Sequence, residues 1–500
     1  MDTKRVKIIR MVISILIFSL IGRLFSLSIL QHDEYSTKAY NQVSQEIKTY
    51  YPRGKILDRY GIPLSGRNEI IEENIILPEY KQRNLAAHVI GDLQYNYNNN
   101  TVEGVKGISG LQKIFDEELN GGLPIKILQY KDGRGQAISQ GDYYVYGDHL
   151  NQGKNIKVTL DYHIQKVIEK EIESFVNEMP ENNIGINPMG VAVVVMNVQN
   201  GEILGMASWG DENNKAVQSF PFGSVFKTLV SAVALEEGVV ELDEEFLCNG
   251  TILIENQMKH CHKTEGHGKL TFKEGFAQSC NSVFFEVANR LTEYNPNGTI
   301  KGNKVIDFAR KFGFTLYDKT QLDSFILSDK YSKNTLPDRI TCQMDVFNMA
   351  LGQGKIEASP LIATKIMATI ANGGIMREPL LVKEILNQEG KSVEKFNNGN
   401  GERVISKQVN KKLQFLLREV AISGTAQGIN DSKYGNIAGK TGTAENGTVN
   451  SHAWFSGYFP TDQPKYAMTV FVEQGKSGSR TAVPLFDGIA DEILKLGQRN

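Results

Sequence analysis

Three short clusters in this sequence combine residue types that do covalent chemistry. Phe222-Gly223-Ser224-Val225-Phe226-Lys227-Thr228 opens an apolar run that extends to about Glu236. If that run is a helix from Val225 onward, Ser224 and Lys227 share one face, and the hydroxyl sits at the positive end of the helix dipole. The pairing suits a nucleophile and its base, because a lysine made neutral by burial or by a cationic neighbour can take a proton. A capping serine beside a snorkelling lysine has the same spacing, so this cluster alone decides little. Ser279-Cys280-Asn281 adds a hydroxyl that can relay a proton and an amide that can bond a substrate amide. Lys440-Thr441-Gly442-Thr443 lies in a strand-like run from Ile437 to Glu445. There a lysine and hydroxyls can bind a carboxylate beside a strand edge that pairs with an extended peptide, and Gly442 is expected to leave room for the substrate.

A fourth cluster is of another kind. Cys248, His260, Cys261, His262 and His267 fall within 20 positions. Thiolate and imidazole suit Zn²⁺, with Cys248, Cys261, His262 and His267 as its candidate ligands, although the spacing fits no standard finger. A Cys248–Cys261 disulfide and free side chains are the alternatives. Cys280 reads as a small filler residue, His452 and Trp454 as alternating sheet residues, and Tyr95 to Asn100 as a solvated loop. No Gly-rich phosphate loop and no nucleic-acid motif stands out.

The elements that must position these residues follow from periodicity. Val158-Thr159-Leu160 reads as a short strand, and Asp161 caps an amphipathic helix through about Val176. Val191 to Val198 and Ile203 to Ala207 read as apolar strands joined across Asn200-Gly201. A mostly helical stretch runs from Ser224 to about Ser423, with loops such as Phe396 to Gly401. Strand signals return at Gly435 to Glu445, His452 to Phe459 and Tyr466 to Val472, and a helix from about Leu485 to Leu496 follows. Strands on both sides of a helical block predict an α+β fold: a central antiparallel sheet flanked by helices, with an inserted helical lobe and a site in the cleft between. Gln31 to about Lys157 reads as an irregular, extended region containing the β-prone Tyr143 to Tyr146.

The 500 residues, 41% of them hydrophobic, are enough for two or three domains with sizeable cores, which excludes disorder and disulfide scaffolds for the bulk of the chain. Lys and Arg total 55 against 57 Asp and Glu, so no global field points to nucleic acid. The N-terminus departs from that average. Lys4, Arg5, Lys7 and Arg10 precede a run from Met11 to Leu30 that is apolar apart from serines, Gly22 and Arg23. About 20 such residues cross a bilayer as a helix, and no small-x-small cleavage site follows, so a retained anchor is expected. Arg23 would snorkel or meet a partner helix. The positive-inside rule puts the N-terminus in the cytoplasm and the rest outside the membrane. The expected division is 1–31 anchor, 32–157 pedestal and 158–500 catalytic domain.

In order, Ser224-x-x-Lys227, Ser279-x-Asn281 and Lys440-Thr441-Gly442 are the motif set of penicillin-recognising serine acyl-transferases. With them the chain resembles the class B penicillin-binding proteins, membrane-anchored D,D-transpeptidases that cross-link bacterial peptidoglycan. Arg53-Gly54-Lys55-Ile56-Leu57-Asp58-Arg59-Tyr60-Gly61 and Gly110 to Phe115 are similar to that family's pedestal motifs. Gly266-His267-Gly268, Gly352-Gln353-Gly354, Ala371 to Gly374, Ala438 to Ala444 and Ala453 to Tyr458 are similar to its catalytic blocks. The resemblance implies that Ser224 is acylated, that Lys227 is its base, and that Ser279 and Asn281 form the second motif. It also implies that Lys440, Thr441, Gly442 and Thr443 bind substrate, with the N–H groups of Ser224 and Thr443 as the oxyanion hole. Stem peptides and β-lactams would be the ligands, and glycan polymerisation would fall to a membrane partner; no cofactor is implied. Phe222-Gly223-Ser224 departs from the usual Pro-Gly-Ser, with proline at 221. A D,D-carboxypeptidase or β-lactamase shares the acyl-enzyme, and a non-enzymatic β-lactam sensor or wall scaffold is the rival from another class.

Overall fold

The computed structural model describes residues 3–499 except 51–52, 66, 73–74, 80–84, 99–100, 122–124, 132–142, 147–152, 179–187, 315–333, 338, 430–435 and 448–449. The expected strand start at Gly435 and the turn residues Asn99 and Asn100 lie outside the described residues. Helix α1 (Thr3–Phe25) continues as a π-helical turn, Ser26–Leu30, and its span Lys4–Leu30 is long and apolar enough to cross a membrane, with none of it buried in protein.

The segment after this helix is more regular than its sequence suggests. Strands Ser44–Tyr50, Arg67–Glu72, Ile75–Glu79, Ile125–Tyr130 and Tyr143–Tyr146 form one five-stranded sheet. The stretch expected as a loop at Tyr95 to Asn100 is mostly strand, because Leu93–Asn98 pairs antiparallel with Thr101–Gly107. Strand β1 (Ile56–Leu57) pairs in parallel with β2 (Asn155–Val158). The expected strand at Val158 to Leu160 is therefore shifted towards the N-terminus, and β2 straddles the expected division at 157/158. Asp161 caps α2 (Tyr162–Glu178), its Oδ1 accepting the N–H groups of His163 and Ile164.

The central sheet draws on distant segments, as the strand pattern predicts. Strands β3 (Gly190–Asn197) and β4 (Ile203–Trp209) form the expected hairpin. Strand β5 (Val382–Leu386), which pairs with β2, interrupts the helical stretch, and after that stretch come β6 (Ala438–Ala444), β7 (His452–Phe459) and β8 (Tyr466–Glu473). The order of the five-stranded sheet is β4-β3-β8-β7-β6, with every pair antiparallel. Each residue of β7 is buried, so both faces of the sheet are covered. Helices α2, α5 (Pro360–Ala371) and α7 (Val483–Arg499) pack on it. The lobe contributes α3 (Lys227–Glu236), α4 (Asn281–Arg290) and α6 (Lys407–Ile422).

The lobe also carries strands that helical periodicity hides. Glu245–Cys248 pairs with Gly268–Thr271, and Thr251–Ile254 with Gln257–His260. The second hairpin turns at Glu255 and Asn256, with φ of 49° and 65°, the left-handed pair that a two-residue type I′ turn requires. No Asn-Gly signal marks this turn in the sequence. Strand β6 is left at the sheet edge, facing the lobe.

Candidate active site

Ser224 lies in a 3₁₀ turn, Gly223–Phe226, and α3 begins only at Lys227, later than the helix expected from Val225. Close backbone approaches pin this turn. Gly352 (φ +66°) comes so near that a Cβ there would stand 2.1 Å from the Gly223 carbonyl oxygen, and Gly223 N–H donates to Gly352 O at 2.8 Å. Only glycine fits such a contact. The proline that precedes Phe222 has a use as well: the Pro221 carbonyl accepts the Trp454 indole N–H at 3.0 Å, tying the turn to β7. Trp454 is thus part of the support of the site, whereas its sequence position suggested only an alternating sheet residue.

Lys227 is fully buried. Its Nζ donates to Ser279 O at 2.7 Å, to Asn281 Oδ1 at 2.9 Å and to Ser279 Oγ at 3.2 Å, while no hydrogen bond joins it to Ser224. Burial pushes its pKa down to about 8. Ser279 reaches it from a left-handed backbone conformation (φ 54°), a state that costs a non-glycine residue about 1 kcal/mol or more. The first and second motifs therefore form one hydrogen-bonded unit.

The third motif is brought up by β6. Lys440 is wholly buried, its Nζ donating to Thr441 O at 3.2 Å and lying 5.7 Å from the centre of the Phe276 ring. Burial, with the nearby Lys227 charge, holds its pKa well below the usual lysine range. It lies behind the strand surface, while Thr443 is the exposed residue of β6. Gly442 has a different reason from the one expected. A Cβ there would meet Val225 Cγ2 at 2.9 Å and Trp454 Cβ at 3.1 Å, so the glycine admits the Ser224 turn rather than a substrate.

Sequence reasoning missed the segment Ser423 to Thr425. The Thr425 hydroxyl bonds the Thr441 hydroxyl at 2.5 Å, Thr425 N–H donates to Ala277 O at 3.1 Å, and Gln278 Nε2 donates to Ser423 O at 2.7 Å. One short loop thus joins the strand of the third motif to the loop before the second. Nothing but its small residues after a helix could have signalled it.

The cysteine cluster needs a correction in its membership. Sγ of Cys248, Sγ of Cys261, a ring nitrogen of His267 and Sγ of Cys280 all lie within 4.8 Å of one another. His262 is not in that set, although its Nδ1 lies 3.9 Å from Cys261 Sγ, whereas Cys280, expected only as a small filler, is. All four cysteines of the chain are unbridged. The hairpins of the lobe, unseen in the sequence, bring the donors together, and Cys280 lies between Ser279 and Asn281.

Residues 191–494 match the penicillin binding protein transpeptidase domain family. Stage V sporulation protein D of Bacillus subtilis is 28% identical over 421 residues, covering 78% of this chain and 61% of its own length. Peptidoglycan D,D-transpeptidase PbpA of Mycobacterium tuberculosis is 28% identical over 297 residues, 56% of this chain and 57% of the relative. The chain thus spans less than two thirds of these relatives. A solved chain described as "Structural coordination of polymerization and crosslinking by a peptidoglycan synthase complex" superposes with a TM-score of 0.70 at 22% identity, covering 99% of both chains. With the three motifs packed together and a family match over residues 191–494, the chain belongs to the class B penicillin-binding proteins.

Proposed function

We propose that the protein is a peptidoglycan D,D-transpeptidase working through an acyl-enzyme on Ser224. The observation that carries this reading is the buried Lys227 amine, held by Ser279 and Asn281 one helical turn from Ser224 and beside an open strand edge. Ser224 Oγ attacks the carbonyl carbon of the penultimate D-alanine of a stem pentapeptide, and its proton passes to neutral Lys227 Nζ. The N–H groups of Ser224 and Thr443 stabilise the oxyanion. As the intermediate collapses, the C–N bond breaks and terminal D-alanine leaves with a proton returned through Lys227 and Ser279. An amine of a neighbouring stem then attacks the acyl carbon and loses a proton to the same base, and as the C–O bond to Ser224 breaks that proton returns to Ser224 Oγ. A β-lactam enters the first step and stalls there. Lys440, Thr441 and Thr443 supply the positive and hydroxyl wall for the substrate carboxylate, with Lys440 acting from behind β6.

In this reading 1–31 anchors the chain with its N-terminus in the cytoplasm, 32–157 is a pedestal and 158–500 is the transpeptidase. The anchor places the site where lipid-linked glycan is made, so a membrane polymerase is its partner; the synthase complex matched in fold supports that pairing. The test supplies the full-length protein in detergent with a lipid-linked pentapeptide polymer and a polymerase. Dimeric muropeptides, absent with Ser224→Ala, are expected. Hydrolysed monomers alone would make it a carboxypeptidase, and failure of a fluorescent penicillin to label the parent protein would remove the acyl-enzyme.

A further inference from the structure

Four donors from four separate places in the lobe converge beside the second motif. Cys248 ends the strand paired with Gly268–Thr271, Cys261 follows the hairpin formed by Thr251–Ile254 and Gln257–His260, His267 precedes the strand Gly268–Thr271, and Cys280 is the N-cap of α4. They all lie within 4.8 Å of one another, and two of the separations are those of ligands around a single ion. A tetrahedral Zn²⁺ with Zn–S bonds of about 2.3 Å and a Zn–N bond of about 2.0–2.1 Å puts two sulfurs about 3.8 Å apart and a sulfur about 3.6 Å from a nitrogen. The Cys261 and Cys280 sulfurs are 3.9 Å apart, and Cys261 Sγ is 3.6 Å from His267 Nδ1. A disulfide would need about 2.05 Å, and three thiols cannot all pair.

The surroundings also fit thiolate ligands. Asn281 N–H donates to Cys261 Sγ at 3.4 Å and Ser282 Oγ to Cys248 Sγ at 3.3 Å, the outer hydrogen bonds that metal-bound sulfur takes. The His267 ring is held by no oxygen acceptor: Nδ1 faces sulfur and Nε2 is buried without a partner. Cys248, Cys261 and Cys280 are each at most 2% exposed, so the three sulfurs are shut off from solvent, as in structural zinc sites.

We propose that Cys248, Cys261, His267 and Cys280 bind one Zn²⁺ as a tetrahedral S₃N centre, and that the ion fixes the turn Ser279-Cys280-Asn281 that holds Lys227. Binding releases one proton from each thiol to solvent and changes no oxidation state. The second half of this proposal rests on the transpeptidase reading; the first does not. Ser279 is in a left-handed conformation that needs outside support, and a metal bond on the adjacent Cys280, with the Asn281 N–H held on a second ligand, supplies it.

The full-length protein is purified with zinc present, dialysed against zinc-free buffer, and its metal measured by mass spectrometry. About one zinc per chain is expected, and only Cys342 should react with a thiol reagent until a chelator exposes Cys248, Cys261 and Cys280. Replacing zinc by cobalt should give the visible absorption of a tetrahedral thiolate centre, lost in Cys261→Ser and kept in Cys342→Ser. Chelation should lower fluorescent penicillin acylation about tenfold or more, which is about 1.4 kcal/mol or more, and zinc should restore it. No retained zinc, or a Cys248–Cys261 disulfide in the purified protein, overturns the site. Retained zinc whose removal leaves acylation unchanged overturns its hold on the Ser279 turn, and a metal-free protein that still acylates separates that failure from any failure of the transpeptidase reading.

Discussion

Lys227 illustrates how one residue can be both held and reactive. Its three acceptors match the three N–H bonds of an ammonium, so the arrangement seen is that of the charged form. To take a proton from Ser224 it must first be neutral, freeing a lone pair, and the longest of its three bonds, to Ser279 Oγ, is the one most easily reversed. With a pKa lowered by burial to about 8, the neutral fraction rises about tenfold per pH unit below that value and then levels off. Acylation by a β-lactam should therefore increase about tenfold between pH 7 and pH 9, read as the second-order labelling rate. A rate flat over this range would remove Lys227 as the base. Gly442 acts through volume. Gly442→Ala places a methyl 2.9 Å from Val225 Cγ2, and overpacking of this kind costs about 1–3 kcal/mol. Slower acylation and a lower melting temperature are expected, with partial recovery when Val225→Ala is added. An equal loss in the double variant would show that the Val225 contact is not the reason for the glycine.

At the scale of elements, the site is a junction of a sheet edge and a lobe, closed by one loop. Strand β6 carries the third motif and the loop before α4 the second, and Ser423 to Thr425 bonds to both. Thr425→Val keeps the shape and removes the hydroxyl that orients Thr441. A neutral hydrogen bond contributes about 1 kcal/mol, or about fivefold. The apparent KM for a carboxylate-bearing β-lactam should rise about that much with the limiting acylation rate unchanged, and Thr425→Ser should restore it; a fall in the limiting rate alone would point away from carboxylate positioning. This loop was illegible in the sequence because Ser, Gly and Thr after a helix signal only a turn. The sheet was legible, since Val191 to Met196 is a continuous apolar run that a doubly covered strand buries, and strand signals returned at His452 to Phe459. The donor cluster was half legible: residue type singled out Cys248, Cys261, His262 and His267, of which the fold groups Cys248, Cys261 and His267, with Cys280 as the fourth member.

At the scale of the molecule, the catalytic half and the segment that precedes it are joined by a sheet that belongs to both. Strand β1 lies in the pedestal motif, β2 beside it, and β5 in the catalytic half, so pulling the pedestal away would break backbone pairing. Asp58 is the polar centre of this joint. Wholly buried, it accepts the N–H groups of Tyr60 at 2.8 Å and Ile62 at 2.7 Å on Oδ1, and that of Tyr162, the first residue of α2, at 3.2 Å on Oδ2. Arg59 adds an ion pair to Glu202 at 3.0 Å, across the same joint. Asp58→Ala strands these donors, and hydrogen bonds to a charged acceptor are worth about 1.5–3 kcal/mol each, so a loss of about 3 kcal/mol or more is expected. Because the loss falls on the joint and not on the cleft, calorimetry of the full-length protein should show the pedestal melting ahead of the catalytic half. Penicillin labelling below that first transition should persist at the parent rate, whereas cross-linking of a lipid-linked polymer, which in the proposed reading needs the pedestal to hold the site above the membrane, should fall. Loss of penicillin labelling at a temperature where the catalytic half is still folded would show instead that the joint communicates with Ser224, and a single unshifted transition would show that Asp58 does not bind the two halves together.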